Sequence, residues 1–553
     1  MKWQGKGVSE GLAMAQIHLF TPKLPEISRQ PAADAEAEVA KLEATLAAAE
    51  EELRGLYETA KEKMGEEAEI FDAHLTILGD EYSVREPIIQ RIREQKQNAA
   101  AAITDQFDEL AQMFRSLGDE LMAERAADAE DLKQQLLRIC LGCGRQDLSV
   151  LPGDVIVLAE ELTPSDTVRM DTAHVKGIAT RLGGATAHSA IIARTLGIPA
   201  AAGIDGWQTE ALNGHMAILD GADGTLTVDP TDEETACYQS RKAQADCEAQ
   251  ALEAFRTSPS QTKDGAALEI CANIGTPQEA QQAMKYGADG VGLFRSEFLF
   301  MDRDALPTED EQFEAYRTAA QTMAGKPLII RTLDVGGDKK LPTLELPHED
   351  NPFLGFRAIR MTLSHPEIFR PQLRAILRAA AYGDVRVMFP MIGSMDQLRE
   401  AKALLREQEQ TLQAEGVPTG SVKVGMMVEI PAAAVLAEEF AKEVDFFSIG
   451  TNDLTQYTLA VERGNAAVAH LYAPEHPAVL RLIAMTAQAA AERHIPCGMC
   501  GEAAGDPKLA PAFVGMGVNE LSMSPRRVPA VRKLLSGLTM DECRQAAEKL
   551  LHP

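Results

Sequence analysis

Arginine and carboxylate side chains recur along the C-terminal half of this 553-residue chain, most of them just after a short apolar run. Guanidinium groups bind phosphate and carboxylate oxygens through paired donors. Mg²⁺ is bound in proteins through one or two carboxylates together with substrate oxygens. The combination therefore predicts a site for a phosphorylated carboxylic acid and Mg²⁺. The residues assigned to this site are Arg295, Arg331, Arg357, Glu429, Asn452, Asp453, Arg463 and Cys500.

Cys500 adds a thiol to the predicted site. Beside a substrate that becomes an enolate, a thiol can serve as the general acid. Taken alone, such a thiol is more often a small buried packing residue. The chain has eight cysteines, with two CxxC pairs at Cys140/Cys143 and Cys497/Cys500. We expect reduced thiols at all of them, with a zinc site shared by the two pairs as the alternative.

The elements that must position these residues begin after Lys263, where apolar runs alternate with helical stretches. Their number and spacing predict a (β/α)8 barrel of the TIM type, in which chemistry gathers at the carboxyl ends of the strands. Periodicity alone also allows an open parallel sheet. The eight candidate strands are "ALEICANIG", "GVGLFRSEF", "PLIIRTLDVGG", "VRVMFPMIG", "KVGMMVEIP", "DFFSIGTNDL", "CGMCGEAAG" and "ELSMSP".

The N-terminal half contains two further kinds of sequence pattern. Residues 31–140 are rich in alanine, glutamate, leucine and lysine and keep helical spacing, which predicts a helical bundle. Short β-type runs with glycine and aspartate from about residue 151, and a similar run at the N-terminus, predict an α/β unit into which the bundle is inserted. The predicted domains are 1–30 plus 141–231 (α/β), 31–140 (helical), 232–261 (linker helix) and 262–553 (barrel).

The formal net charge of −29 argues against nucleic acid or an anionic membrane as the main partner. Residues 31–140 hold 26 acidic and 12 basic side chains, about half of the charge excess. This surface is either a solvated helical face or a docking face for a small partner. The N-terminus lacks the apolar core of a signal peptide, and no run is long enough to span a membrane, so a cytoplasmic protein is expected.

The stretch "GGATAHSAIIAR" (183–194) places His188 between a glycine-rich turn and an expected helix start. One histidine in a loop is weak evidence for reactivity. The site predicted in the C-terminal half strengthens the evidence that His188 is reactive, because that site would hold a phosphoryl donor.

The chain resembles enzyme I of the bacterial phosphoenolpyruvate:sugar phosphotransferase system over nearly its whole length. The segments that carry the resemblance are "LTPSDTV" (162–168), "GGATAHSAIIAR" (183–194), "GVGLFRSEFLFMDRD" (290–304), "IRTLDVGGDKKLP" (330–342), "NPFLGFRAIR" (351–360), "VGMMVEIPAA" (424–433), "IGTNDLTQYTLAVERGN" (449–465) and "GMCGEAAGD" (498–506). The resemblance implies a swivelling phosphohistidine domain, an inserted helical domain that docks the carrier protein HPr, and a dimeric phosphoenolpyruvate-binding barrel.

The resemblance also implies a role for each matched residue. His188 accepts the phosphoryl group from phosphoenolpyruvate and passes it to a histidine of HPr, and Cys500 donates a proton to the enolate. Thr167 is a candidate hydroxyl partner for the histidine. A helix start at His188 would favour an arriving phosphoryl group and keep the imidazole neutral. Glu429 and Asp453 are the implied Mg²⁺ ligands, and the substrate residues are Arg295, Arg331, Asn452 and Arg463, with Arg357 close by.

Three positions depart from the commoner pattern. Ala185 stands where many members have a basic residue, Ala187 where serine is usual, and Glu462 where aspartate is frequent. The two alanines affect how the histidine is held and which carrier it prefers, so a paralogue serving a specialised carrier stays open. Two further alternatives are a pyruvate phosphate dikinase or phosphoenolpyruvate synthase, which would also need an ATP-binding domain, and an inactive scaffold homologue, which retention of His188 and Cys500 disfavours.

Overall fold

The structure of the protein is a computed structural model. The structure describes residues 1–21, 25, 27–64, 69–116, 120–143, 148–183, 188–207, 210–301, 303, 305–336, 349–463, 465 and 467–552. The chain divides into two compact units, Met1–Ala245 (the N-terminal unit) and Asp246–Pro553 (the barrel unit).

The N-terminal unit contains one sheet with a helical segment inserted into it. The sheet has the order β1-β8-β7-β3-β4-β5-β6-β2. Strand β3 runs parallel to β4 although the whole helical segment separates them in sequence. The predicted α/β unit with an inserted bundle is therefore confirmed. Within the described residues its strands are β1 (Lys2–Gln4), β2 (Lys6–Ser9), β3 (Leu12–Phe20), β4 (Val155–Ala159), β5 (Val175–Thr180), β6 (Ala200–Ala202), β7 (Met216–Asp220) and β8 (Thr225–Val228).

The inserted segment is helical because its apolar side chains repeat at three- and four-residue spacing. Leu42, Leu53 and Leu132 are fully buried in its shared core. Val168, from the sheet-bearing part of the chain, packs into the same core. The helices are α1 (Ala35–Met64), α2 (Glu69–Gly79), α3 (Glu86–Glu94), α4 (Ala99–Ser116) and α5 (Glu120–Cys140).

Three further helices of this region matter for the chemistry: α6 (Pro164–Arg169), α7 (His188–Leu196) and α8 (Asp232–Glu253). Helix α6 begins with a capping box, in which Thr163 accepts the amide of Asp166 and the Asp166 carboxylate accepts the amide of Thr163. Helix α6 lies against α7. The segment "TPSD" therefore fixes a short helix beside the one that begins at His188.

The barrel unit is a closed barrel of parallel strands, which decides between the two architectures that the periodicity allowed. The predicted (β/α)8 barrel is confirmed. Its strands, among the described residues, are β9 (Glu269–Ile274), β10 (Val291–Arg295), β11 (Leu328–Arg331), β12 (Val385–Phe389), β13 (Lys423–Val428), β14 (Phe446–Ile449), β15 (Cys497–Met499) and β16 (Glu520–Met523).

Each strand follows its predecessor around the ring, and the last strand, β16, pairs with the first, β9. One large core cluster fills the space between the strands and the surrounding helices. The helices are α9 (Glu279–Lys285), α10 (Glu309–Thr322), α11 (Ile359–Ser364), α12 (Pro366–Ala379), α13 (Met395–Glu415), α14 (Pro431–Val435), α15 (Ala437–Phe440), α16 (Thr451–Leu459), α17 (Pro477–Arg493), α18 (Ala510–Met516), α19 (Val528–Ser536) and α20 (Met540–Leu551).

The predicted linker helix is α8, whose residues are mostly exposed. It ends at Glu253, followed by a 3-10 turn over Ala254–Arg256, rather than continuing to residue 261. Pro259 gives the reason, because proline disfavours helical backbone at the residue before it. The domain boundaries within the N-terminal half stay a prediction.

Arg532 anchors the chain just after α8. This side chain is 1% exposed and donates to the carbonyl oxygens of Phe255 and Gly287, at 2.7 Å each. It also donates to the hydroxyl of Ser260 at 2.7 Å and pairs with Asp289 at 3.1 Å. One buried guanidinium thus satisfies acceptors from three separate segments of the barrel unit.

Replacing this anchor should destabilise the barrel unit. In Arg532→Met the carbonyl acceptors and the Asp289 carboxylate lose a buried cation, and breaking such a buried pair costs about 3–5 kcal/mol. Chemical denaturation monitored by circular dichroism would measure the loss. The matched control is Arg544→Met, whose partner Asp541 is exposed, and a surface change of this kind shifts stability by about 0.5 kcal/mol or less. Equal losses for the two variants would contradict the anchor role.

Candidate active site at the carboxyl ends of the barrel strands

A cavity of about 250 Å³ opens at the carboxyl ends of the barrel strands. It brings together all eight residues that the sequence assigned to the C-terminal site. The lining residues are Leu293, Arg295, Arg331, Asp334, Phe353, Arg357, Met427, Glu429, Gly450, Asn452, Asp453, Arg463, Cys500, Gly501 and Glu502. Residues far apart in sequence thus meet because parallel strands end at one face of the barrel.

Arg331 is the last residue of β11 and is 7% exposed. Its guanidinium contacts the buried carboxylate of Glu297 and pairs with Asp334 at 2.8 Å. Burial alone would lower the pKa of Arg331, but the charges of Glu297 and Asp334 raise it above its ordinary value. The guanidinium is therefore permanently charged and fixed in place before any ligand arrives.

Arg357 approaches the cavity from the connection after β11. It donates to Asp334 at 2.9 Å, to Asp453 at 3.3 Å and to the Tyr457 hydroxyl at 3.1 Å. Burial would lower its pKa, but Asp334 and Asp453 raise it. Gly336 permits this packing, since a Cβ there, at φ +116°, would lie 2.4 Å from the Cβ of Arg357.

Glu429 follows β13 and is 1% exposed. Burial raises the pKa of Glu429 to about 8, and the nearby carboxylates of Asp453 and Asp334 add to the rise. One of its oxygens accepts the amide of Met391 at 2.6 Å. A Cβ at position 450 would come within 2.9 Å of its other oxygen, so only glycine leaves that oxygen accessible.

The donor set of Glu429 and Asp453 fits a divalent cation. Two carboxylates near each other and both largely buried carry negative charge that the surrounding arginines offset only in part, as the raised pKa of Glu429 shows. A hard cation would relieve that repulsion. Mg²⁺ needs one or two protein carboxylates, with the remaining positions filled by water and substrate oxygens.

Three polar residues at the rim complete the site. Arg295, the last residue of β10, and Arg463, after α16, are exposed, whereas Asn452 is half-buried in the first turn of α16. The Asn452 side-chain oxygen accepts the amide of Glu502 at 3.3 Å, which orients the side chain. The two exposed arginines can reach a ligand without first leaving a buried partner.

Cys500 follows β15 and is 3% exposed. Its side chain packs among apolar side chains that include Leu293, Met427 and Phe446. Burial raises the pKa of the Cys500 thiol to about 11. The group is therefore a protonated thiol at neutral pH, which is the form that a proton donor needs.

Helix α7 begins at His188, as the sequence predicted, so the histidine stands at the positive end of that helix. Ala185 and Ala187, the departures from the family pattern, lie outside the described residues. Thr167 is 1% exposed, and its hydroxyl donates to the carbonyl of Pro164 at 2.8 Å. Its oxygen can still accept a hydrogen bond, so its pairing with the histidine stays a prediction.

Helix α6 is also tied to the helical segment by a buried polar chain. The Ser165 hydroxyl donates to the carboxylate of Asp131 at 3.1 Å. His74 lies 3.2 Å from Asp128 through Nε2 and 4.0 Å from Asp131 through Nδ1. These contacts fix α6, and with it Thr167, to the interior of the inserted helices.

Sequence reasoning missed the residues that hold the arginines. Asp334, 2% exposed, bridges Arg331 and Arg357 but was not assigned to the site from the sequence, although it follows Arg331 by only three residues. Tyr457 accepts from Arg357 and donates to the carbonyl of Phe353 at 2.6 Å. A buried charge needs a partner of opposite charge, so the arginines themselves were a signal to look for such carboxylates.

All eight cysteines are free thiols. Cys140 and Cys143 belong to the N-terminal unit and Cys497 and Cys500 to the barrel unit. Within the described part of the chain, neither pair forms part of a cluster of metal-binding side chains. None of the described helices combines the length and the apolar character that crossing a membrane requires.

Three protein families match successive parts of the chain. The N-terminal family of PEP-utilising enzymes matches residues 4–125, their mobile domain matches residues 151–224, and their PEP-binding domain matches residues 249–540. The last match covers all eight strands of the barrel and every residue that lines the cavity.

Full-length relatives agree with these matches. The phosphoenolpyruvate-protein phosphotransferase of Geobacillus stearothermophilus is 46% identical over 550 residues, which are 99% of this chain and 95% of the relative. That of Staphylococcus carnosus (strain TM300) is 42% identical over 548 residues, 99% of this chain and 96% of the relative. An NMR solution structure of enzyme I (nEIt) is 33% identical, covers 44% of this chain and 99% of its own, and has a TM-score of 0.40. At 46% identity over 99% of its length to such a relative, the chain belongs to the phosphoenolpyruvate-protein phosphotransferase, or enzyme I, family.

Proposed function

We propose that the protein transfers the phosphoryl group of phosphoenolpyruvate to His188 and then to a histidine of HPr or an HPr-like carrier, releasing pyruvate. The observation that carries this proposal is the barrel cavity, which four arginines, four carboxylates and a buried thiol line together. The arginines suit the phosphate and carboxylate groups of a phosphorylated carboxylic acid, and the carboxylates of Glu429 and Asp453 suit a divalent metal ion. Family membership at 46% identity over 99% of the chain supports the same reaction.

In the first half-reaction, an imidazole nitrogen of His188 attacks the phosphorus and the bond between phosphorus and the enol oxygen breaks. Arg295, Arg331 and Arg463, with Arg357 nearby, hold the phosphate and carboxylate oxygens, and Asn452 donates its amide. Catalysis of phosphoryl transfer is mostly positioning and neutralisation of charge. The fixed, paired guanidinium of Arg331 suits this role because it needs no reorganisation when substrate binds.

Glu429 and Asp453 would hold Mg²⁺. Bound there, the ion would neutralise the phosphate oxygens and the developing charge of the enolate. The carboxylate oxygen of Glu429 left accessible beside Gly450 and the buried carboxylate of Asp453 are the ligands that the chain itself supplies.

In the second part of this half-reaction, Cys500 donates its proton to the methylene carbon of the enolate, which gives pyruvate and a thiolate. The thiolate regains its proton from solvent. The elevated pKa keeps the thiol protonated at neutral pH, so the proton is in place when the strongly basic enolate carbon forms. Leu293 and Met427 exclude water from one side of the sulfur.

The second half-reaction requires that His188 leave the barrel cavity and face the inserted helices. We propose the division into 1–30 plus 141–231 as the swivelling domain, 31–140 as the carrier-docking domain, 232–261 as the linker and 262–553 as the barrel, which also forms the homodimer. The exposed helix α8 is suited to a linker because few buried contacts hold it.

A docking surface for the carrier is available on the helical segment. Tyr82 is 82% exposed and is flanked by Glu81 and Glu86, both exposed. Exposed aromatic side chains with charged neighbours are typical of protein interfaces. The acidic surplus of residues 31–140 would steer a basic carrier surface towards this face.

Loss of the acceptor should abolish phosphorylation. With Mg²⁺ and phosphoenolpyruvate labelled in its phosphoryl group, the wild type should acquire acid-labile label without ATP, and His188→Ala should stay at background because the proposed acceptor imidazole is gone. The matched control, His215→Ala, changes a histidine that pairs with Asp229 and should label normally. Label in His188→Ala equal to the wild type would refute the assignment.

Removal of the proton donor should separate binding from turnover. Cys500→Ala should bind phosphoenolpyruvate normally but form pyruvate about 10²–10⁴-fold more slowly, the usual effect of losing a general acid. Since burial raises the pKa of the thiol to about 11, the thiol stays protonated up to about pH 10. Up to that pH, wild-type turnover should therefore show no loss caused by its deprotonation. Pyruvate formation measured across pH tests both statements.

The control for this experiment is Cys497→Ala, which removes the other buried thiol of the same CxxC pair and lies outside the cavity lining. It should keep near-wild-type turnover. Undiminished pyruvate formation by Cys500→Ala would show that this thiol is a packing residue and not the proton donor.

Carrier docking should depend on salt and on Tyr82. Raising salt from about 0.1 to 1 M shortens the Debye length from about 10 to 3 Å, so transfer to HPr should slow more than autophosphorylation. Tyr82→Ala should weaken transfer about fivefold or more, as loss of an interface hot spot does, whereas Met113→Ala, exposed on α4, serves as the control. Equal salt sensitivity of both steps would contradict electrostatic docking.

A further inference from the structure

The amino ends of the barrel strands, opposite the cavity, hold a second group of chemically capable side chains. Glu269 and Cys271 lie on β9, and Glu520 is the first residue of β16. One ligand atom from each of the three lies within 4.8 Å of the other two. We call these three residues the seam cluster, because β9 and β16 are the first and last strands and close the barrel where they pair.

The seam cluster places like charges directly opposite each other. Glu520 and Glu269 are register partners across the β16–β9 pair. Carboxylates facing each other on neighbouring strands destabilise a sheet. Burial raises the pKa of Glu520 to about 7, and Glu269 adds to the rise. Negative charge in the cluster is thus incompletely compensated.

One oxygen of Glu520 lacks a protein partner. The side chain is 4% exposed, and its Oε1 accepts a hydrogen bond from none of the described residues. Buried polar atoms in native proteins are nearly always satisfied. The same carboxyl group contributes an oxygen to the seam cluster, within 4.8 Å of the ligand atoms of Glu269 and Cys271.

The surrounding strands keep the space open for this carboxylate. A Cβ at Gly292 would lie 2.3 Å from Oε1 of Glu520, and a Cβ at Gly498 would lie 3.1 Å from its Cδ. Strands β10 and β15 therefore carry no side chain at the two positions that contact the Glu520 side chain in the barrel interior. Any larger residue at position 292 would expel this side chain from the interior.

Arg386, 9% exposed, is a basic side chain whose charge acts on the cluster, but it also donates to Asp384 at 2.8 Å and is therefore already paired. Two carboxylates and a thiolate carry three negative charges, and a divalent cation would neutralise two of them. Without the cation, deprotonation of Cys271 is strongly disfavoured, since burial and both glutamates raise its pKa.

We propose that Glu269, Cys271 and Glu520 bind a zinc ion that fastens the first strand of the barrel to the last. Thiolate and carboxylate together are typical ligands of Zn²⁺, whereas Mg²⁺ prefers oxygen alone. On binding, the Cys271 sulfur loses its proton to solvent and bonds the metal. Glu269 is exposed, so the ion has a route of entry, and a water molecule can supply the fourth ligand.

The position of the proposed site gives it a structural role. It would link Cys271 to Glu520 across nearly the entire barrel sequence, and cross-links that close long loops stabilise a fold by restricting the unfolded chain. The proposal does not rest on the phosphotransfer function, because none of the three residues of the seam cluster lines the cavity.

The test uses the full-length protein with excess Mg²⁺ to occupy the cavity. After equilibration with zinc and removal of free metal, elemental analysis should find about one zinc per chain, as for a structural site. Replacement by Co²⁺ should give a thiolate-to-cobalt charge-transfer absorption. Cys271→Ser and Glu269→Gln should each raise the dissociation constant for zinc at least about tenfold, and Cys271→Ser should lose the absorption.

Two cysteine variants serve as matched controls. Cys500→Ser, at the cavity, and Cys543→Ser, buried in α20, should both keep the zinc and the cobalt absorption. If Cys271→Ser does not fold, Glu269→Gln decides, because its side chain is exposed. Absence of bound zinc from the wild type, or persistence of the cobalt absorption in Cys271→Ser, would overturn the proposal.

Discussion

The buried carboxylate of Asp334 is the contact on which the catalytic face depends. It holds Arg331 at 2.8 Å and Arg357 at 2.9 Å, and these two arginines reach the cavity from opposite ends of the long connection after β11. Without this carboxylate, two guanidinium groups would face each other in a largely buried space. Because both are fixed before substrate arrives, little ordering is needed when phosphate and carboxylate groups bind.

The same network sets the protonation states that the chemistry needs. Positive charge from Arg331 and Arg357 opposes the rise in the pKa of Glu429, but burial and two nearby carboxylates dominate and hold it at about 8. This residue is therefore poised to bind a cation in place of a proton. The Cys500 thiol, surrounded by apolar side chains, is shifted to about 11 by its burial. One cavity thus keeps the proposed metal ligand Glu429 and the proposed proton donor Cys500 in complementary states.

Much of this arrangement was predictable from the sequence, and the reason is geometric. Arg295, Arg331, Glu429 and Cys500 could be assigned because they end or follow apolar runs, and parallel strands bring such positions to one face. Closure of the sheet could not be read from periodicity, since a barrel and an open sheet bury the same runs. Asp334 and Tyr457 were not predicted, because their roles come from contacts with Arg357, which lies 23 residues further along the connection that holds Asp334 and far in sequence from Tyr457.

The two ends of the barrel are connected through Asn273. Its side-chain nitrogen donates to the carbonyl of Cys500 at 2.9 Å and to that of Ser522 at 3.3 Å, and its oxygen accepts from the Ser522 hydroxyl at 2.7 Å. Asn273 and Ser522 lie on β9 and β16, the strands that carry the seam cluster. Whatever fixes that seam therefore also fixes the backbone that presents the Cys500 thiol. Repulsion between Glu269 and Glu520 would act on the same pair of strands, which is why its neutralisation bears on the geometry of the catalytic face as well as on the stability of the barrel.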